Sequence, residues 1–255
     1  MTVATGSWRD ALEAGRFDEA QKLYLLSEED DNEVRRGLHA LKEIHEAVRE
    51  KAWRRAKRLL EALEDAPPVV DWSQIRGEIE RLEEVSQQIN HAQTEEALAS
   101  LQAFPFRWFR AEVANQQGTA HAFAGDYPEA REAFEQATEL DPKHYRALTN
   151  LGNVYLEEDA FDKAIECYEQ ALRLNEDFAN AHHNLGVAYR RNGQVGKSVR
   201  HLRRAQRVRN RTEQERAREE LGDGAAKAGL KAIRWVLYGA VAVILFIILR
   251  NQGFI

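Results

Sequence analysis

The chain is poor in the residues that staple or interrupt a fold. Cys167 is the only cysteine, so no intrachain disulfide can form, and a secreted domain of this size would more often carry a disulfide framework. A reducing, cytosol-like compartment is the expectation. Only 5 prolines and 15 glycines are spread over 255 residues, too few for a turn-rich β architecture. The first ten residues have neither a basic segment nor an apolar one, so nothing there resembles a secretory signal. Acidic residues are absent from one whole stretch, Arg190 to Arg211, which holds Lys197, Arg200, Arg203, Arg204, Arg207 and Arg209.

What is present points to helices with a core. Hydrophobic residues make up 44% of the chain and charged residues 31%, with both signs mixed. That composition suits long amphipathic helices in an all-α fold.

The strongest signal is self-similarity. Gly118, Gly152 and Gly186 are spaced 34 residues apart, and Ala137, Ala171 and Ala205 keep the same register, as do Ala130, Ala164 and Ser198. Thirty-four residues make one helix-turn-helix unit. Small residues at these positions let two antiparallel helices approach closely, while Tyr155, Phe161, Tyr168 and Leu172 supply an apolar stripe that neighbouring hairpins cover.

The middle copy, with Leu148, Leu151-Gly152, Tyr155, Ala164, Tyr168 and Ala171, resembles the tetratricopeptide repeat (TPR). The first copy has Gly118, Gly125, Tyr127, Ala130, Phe134, Ala137 and Asp141-Pro142, with Gln117 and His121 where Leu and Tyr are usual. The third has Leu185-Gly186, Tyr189, Gly193 and Ala205, but Ser198 and Leu202 replace the usual Ala and aromatic. The resemblance implies a right-handed α-solenoid of stacked helical hairpins. Upstream, Gly15 to Ala20 with Tyr24, then Trp53, Ala56 and Leu60, then Thr94, Ala97 and Leu101 look like degenerate second helices of further hairpins. Breaks are expected at Asp65-Ala66-Pro67-Pro68 and at Phe104-Pro105-Phe106. The resulting organisation is degenerate hairpins over 1–110, three repeats over 111–144, 145–178 and 179–212, a capping helix and linker over 213–229, and a transmembrane helix over 230–250.

Trp235 to Leu249 is a run of fifteen residues without a charge. Extended back to Leu230, it would span about 30 Å at about 1.5 Å per residue, the thickness of a bilayer core. Trp235 and Tyr238 would sit at an interface, with Leu245, Phe246 and Leu249 in the lipid. Lys227, Lys231, Arg234 and the basic third repeat precede the segment, so the positive-inside rule places the solenoid in the cytoplasm, with a bacterial inner membrane the favoured setting. The third repeat's Arg and Lys residues would meet anionic headgroups. Nucleic acid is not an expected partner, because no aromatic residues interleave the basic run.

Chemistry is sparse. Gly193-Gln194-Val195-Gly196-Lys197-Ser198 has two residues between its glycines where a phosphate-binding loop needs four. His182 and His183 are adjacent and point apart on a helix. Cys167 reads as an inert packed thiol. No catalytic, cofactor or metal constellation emerges, and an enzyme is not expected.

The resemblance implies that the first helix of each repeat faces inward. Residues three and four apart on that helix share a face, which selects Glu112, Asn115, Thr119, Arg146, Thr149, Asn153, Asn180, His183, Val187 and Arg190 as the groove. Asn153 can both donate to and accept from a peptide backbone, while Arg146 and Arg190 favour acidic side chains. The expected function is a membrane-anchored scaffold holding a partner protein or peptide. A co-chaperone that clamps a chaperone's C-terminal carboxylate is the alternative, although of the residues that clamp requires only Asn153 matches. A tail-anchored organellar adaptor is a further alternative.

Overall fold

The computed structural model describes residues 7–29, 31–63, 70–215 and 217–218. The chain divides into two compact units, Met1–Leu202 and Arg203–Ile255. In the second unit residues 203–215 are helical, so the boundary expected at 212 falls within helix. The segment expected to cross a membrane, 230–250, and the break at Asp65 to Pro68 lie outside the described residues. Among the described residues no helix is long and apolar enough to cross a membrane.

The described residues of the first unit form helices joined by turns and short links. Its elements are α1 (Trp8–Glu13), α2 (Phe17–Leu25), α3 (Asn32–Arg49), α4 (Trp53–Glu61), α5 (Trp72–Asn90), α6 (Thr94–Ala103), α7 (Arg110–Ala124), α8 (Tyr127–Leu140), α9 (Tyr145–Glu157), α10 (Phe161–Leu174) and α11 (Ala179–Arg191). Residues 195–202 are helical again. Local chemistry starts several of these helices. Ser7 and Asp10 form a reciprocal capping box on α1, and Asp31 and Asp71 accept backbone N–H groups at the starts of α3 and α5.

The turns inside the hairpins share one geometry. Gly15, Lys51, Ala92, Gly125, Asp159 and Gly193 each have positive φ. Each donates its N–H to the carbonyl three residues back, and the following residue donates to the carbonyl five residues before itself. At Lys51, for example, the bonds run to Val48 and from Ala52 to Ala47, at 2.9 and 2.8 Å. This is the Schellman closure, which satisfies helix-terminal carbonyls and reverses the chain.

Five residues after each left-handed residue comes a small buried one: Ala20, Ala56, Ala97, Ala130, Ala164 and Ser198. Four residues further along the same face stand Tyr24, Leu60, Leu101, Phe134, Tyr168 and Leu202. In the three regular hairpins these large side chains lie over glycine. A Cβ on Gly118, Gly152 or Gly186 would fall 2.7, 2.6 or 2.8 Å from Phe134, Tyr168 or Leu202. In the first three hairpins the same register position holds Trp8, Ile44 and Val85. Trp8 meets Tyr24 edge-on, with ring centroids 5.4 Å apart, so this seam is built by aromatic contact instead of close backbone approach.

Two features bring the first hairpins to the regular ones. Glu78 on α5 is fully buried and accepts the backbone N–H groups of Arg107, Trp108 and Phe109 at 2.9, 2.9 and 3.3 Å, which fixes the link that begins at Phe104. Charges then join α2 and α3 to the start of α9. Asp18 pairs with Lys143, Arg49 Nε lies 3.0 Å from Asp141 Oδ2, and Arg146 donates to the Glu50 carbonyl at 3.0 Å.

Candidate partner-binding cleft

α9 follows directly from the 139–144 loop. His144 caps it, its Nδ1 accepting from the Ala147 N–H at 3.2 Å, and the Asp159 turn ends it. Between these limits Arg146, Thr149, Asn150 and Asn153 recur at helical spacing on one side. Asn115 and Thr119 on α7 flank them, and Asn180 and Asn184 on α11 stand on the other side. Together with Lys51 and Phe178 they line a cleft of about 300 Å³. Six of the ten residues selected from the sequence therefore meet in one place.

Hydrogen bonds orient the amides. The Asn153 Oδ1 accepts from the Tyr168 hydroxyl at 2.8 Å and from Asn184 Nδ2 at 2.7 Å. The Asn150 Nδ2 donates to Asn115 Oδ1 at 3.0 Å, and Asn115 Nδ2 donates to Glu112 Oε2 at 3.1 Å. With those atoms engaged, Asn153 keeps its Nδ2 donor and Asn150 its Oδ1 acceptor. The two lie three residues apart on one helix face. A donor beside an acceptor is the complement of a peptide group's C=O and N–H.

Glu112 stands below this surface. It is 3% exposed and bound by Asn115, by Gln116 Nε2 at 3.1 Å and by His144 Nε2 at 3.0 Å, with Lys51 Nζ at 3.9 Å. Because His144 Nδ1 accepts from Ala147, Nε2 carries the proton and donates to the carboxylate. Burial works to raise the pKa of Glu112, but the His144 hydrogen bond and the Lys51 charge outweigh it, and the net direction is down.

Two of the six are already engaged, and three of the other selected residues lie elsewhere. Thr149 is 3% exposed and its hydroxyl donates to the Tyr145 carbonyl. Arg146, although on the cleft, holds the Glu50 carbonyl and lies over the Phe178 ring, 5.3 Å from its centroid. His183 is half-buried, Val187 packs against the cluster around Leu156, Tyr168 and Leu185, and Arg190 is exposed. None of these three lines the cleft. Trp235, Tyr238, Leu245, Phe246 and Leu249 lie outside the described residues.

Sequence reasoning missed Asn150, Asn184, Phe178 and Lys51. The first two are 34 residues apart, so the period itself was a usable signal for them. Lys51 comes from a different hairpin and carried none. A second hollow of about 240 Å³ continues from the cleft, sharing Thr119, Asn150 and Asn153, and is walled by Phe123, Tyr127, Phe134 and Val154. Phe123 is 64% exposed there. Cys167 is buried away from both, and burial pushes its thiol up to about 11, which keeps it protonated and unreactive near neutral pH.

Models of the TPR repeat match residues 152–193 and of the tetratricopeptide repeat residues 115–166. The chain has no match among curated proteins. Among solved structures it is similar to a crystal structure of MamA protein, at 20% identity and a TM-score of 0.44 over 69% of this chain and 92% of that one. The second TPR of Spaghetti (RPAP3), bound to the HSP90 peptide SRMEEVD, is 18% identical with a TM-score of 0.38 over 39% of this chain and 92% of that one. The N-terminal domain of stress-induced protein-1 from C. elegans is 23% identical with a TM-score of 0.36 over 38% and 83%. Tetratricopeptide repeats are thus present between residues 115 and 193.

Proposed function

We propose that this protein is a scaffold whose asparagine-lined cleft between α7, α9 and α11 holds an extended segment of a partner protein. The observation that carries the reading is the Asn150 Oδ1 and Asn153 Nδ2 pair, whose orientation is set by Asn115, Tyr168 and Asn184. Preorganised amides bind a main chain without first losing rotamer freedom. TPR-containing proteins bind peptides, as in the RPAP3 structure with its HSP90 peptide. Here the contacts would be mainly to the partner's backbone, with Thr119 and Asn180 beside it. Residues 230–250 would tether the scaffold to a membrane, with the repeats on the cytoplasmic side and the basic third repeat near the headgroups.

Two experiments test the two halves of this reading. A photo-crosslinking residue placed at Thr119 or Asn180 should give one discrete protein adduct in cells, whereas the same residue at Glu132, exposed on α8, should give none. Equal labelling from all three positions would remove the cleft from the argument. Full-length protein should resist alkaline carbonate extraction, and a chain ending at residue 229 should become soluble while keeping its helicity. Release of the full-length chain would rule out a spanning tail.

A further inference from the structure

The hollow that continues from the cleft has walls open to solvent. Phe123 lies in the last turn of α7 and Tyr127 opens α8, and the two are 64% and 37% exposed. The turn between them is fixed by its backbone. Gly125 donates to the Ala122 carbonyl at 3.2 Å, Asp126 to that of His121 at 2.9 Å and Tyr127 to that of Gly125 at 3.0 Å. Both accessible rings therefore stand on one rigid reversal and line the same hollow, together with buried Phe134 and Val154.

Packing does not call for an aromatic ring at Phe123. The 34-residue period carries its position to Glu157 and then to Arg191, both exposed, so the hairpins also close with a charged side chain there. Phe123 leaves most of its ring in water, and apolar surface is stabilised only when something covers it. A single exposed apolar residue is ordinary, but two aromatic rings flanking one turn and lining one hollow form a preformed contact surface. The hollow measures about 240 Å³, below the roughly 300 Å³ at which pockets for free small molecules begin. It has room for one large side chain.

We infer that this hollow takes one large apolar side chain, Leu, Met or Phe, from an internal stretch of the partner segment, an inference that rests on the cleft reading above. Thr119, Asn150 and Asn153 border both spaces, so a main chain held by the two asparagines runs along the rim of the hollow. In an extended segment successive side chains point to opposite sides, and one of them enters the hollow while its neighbours turn away. A chain terminus does not fit the same place. A terminal carboxylate needs a cation to receive it, but Lys51 Nζ is 3.9 Å from the buried Glu112 carboxylate and Arg146 holds the Glu50 carbonyl. The charged group lining the hollow, Glu157, is itself an acid.

The test pans the immobilised full-length chain against two random dodecapeptide libraries, one flanked by fixed linkers at both ends and one ending in a free carboxylate. The flanked library should enrich, with Leu, Met or Phe recurring at one position, and changing that residue to Ser should raise the Kd of the leading peptide at least fivefold. Phe123→Ser with Tyr127→Ser, both exposed positions, should raise it at least fivefold while circular dichroism and melting stay unchanged. Asn150→Ala reports on the cleft separately. Leading peptides that lose affinity with Asn150→Ala but not with the double variant would overturn the inference and leave the cleft reading in place. Peptides that depend on the two rings and not on Asn150 would keep the hollow as a site and remove the cleft reading. Enrichment confined to the free-carboxylate library, or leading peptides without a recurring apolar residue, would overturn the inference, and no enrichment from either library would overturn both.

Discussion

The ring of Tyr168 occupies the place where a side chain at Gly152 would begin: a Cβ there would lie 2.6 Å from Tyr168 Cε1. Tyr168 is itself fully buried, and its hydroxyl donates to Asn153 on the cleft. The same contact therefore seals the hairpin and orients a cleft residue. Gly152→Leu should lower stability by about 1 to 3 kcal/mol or more through overpacking. Lys163→Leu, at an exposed position on α10, should stay within about 0.5 kcal/mol. Denaturant midpoints decide this, and coincident midpoints would undo the repeat register.

The left-handed turn residues give a prediction of opposite sign. Ala92 has φ 60° and Gly125 φ 89°, and an L-residue with a Cβ is strained there by roughly 1 to 2 kcal/mol. Ala92→Gly should stabilise the protein by about 0.5 to 1 kcal/mol, and Gly125→Ala should destabilise it, although its Cβ would meet nothing within 4 Å. Thermal melts of the two variants should move in opposite directions.

His45 predicts an acid limb. Burial, then the neighbouring Arg49 charge, lowers its pKa from 6.5 to about 4 against the opposing pull of Asp141. A depressed folded pKa means the folded state takes up the proton less readily than the unfolded chain. The stabilisation is thus complete above about pH 6.5 and is lost as the pH falls towards 4. Glu112, also shifted down, loses its contribution as the pH falls below its ordinary range. Urea midpoints measured from pH 7.5 to 4.5 should therefore fall in the wild type and fall less in His45→Gln. Parallel pH profiles for the two proteins would assign the limb to the carboxylates alone.

Glu78 offers three N–H groups of the 107–109 link a carboxylate with two acceptor oxygens, and Glu78→Gln leaves only one oxygen. Losing buried acceptors costs about 1 to 3 kcal/mol. Hydrogen exchange at the Arg107, Trp108 and Phe109 amides should accelerate in this variant more than exchange in α10. Uniform acceleration across the unit would mean that Glu78 supports global stability and not this link in particular.

How much of this was legible beforehand depends on where each signal was stored. The spacing of Gly118, Gly152 and Gly186 was enough to define the regular hairpins, because a close helix approach demands glycine wherever an aromatic ring or a Leu side chain covers it. The same period fails upstream. Gly15, Lys51, Ala92 and Gly125 are separated by 36, 41 and 33 residues, and Trp8, Ile44 and Val85 stand in the glycine register. The second and third of those hairpins close the same turn on Lys51 and Ala92 and have longer first helices, while the first closes on Gly15 after a six-residue helix, so neither glycine nor a fixed spacing marks them in the sequence.

The cleft divides the same way. Asn115 and Thr119 share a face of α7 by helical spacing, and the 34-residue period carries that register to Asn153 on α9 and from Arg146 to Asn180 on α11. The sequence therefore determined an all-α chain, the register of its repeats and the polar character of that face. Only the tertiary structure decided that Glu112 is withdrawn beneath the cleft, because His144 reaches it from the next loop, and that Arg146 is engaged by the Glu50 carbonyl. It alone brought Lys51, from another hairpin, to the same cleft. Those pairings join residues far apart in the chain, and no local period encodes contacts whose partners are chosen by how the hairpins stack.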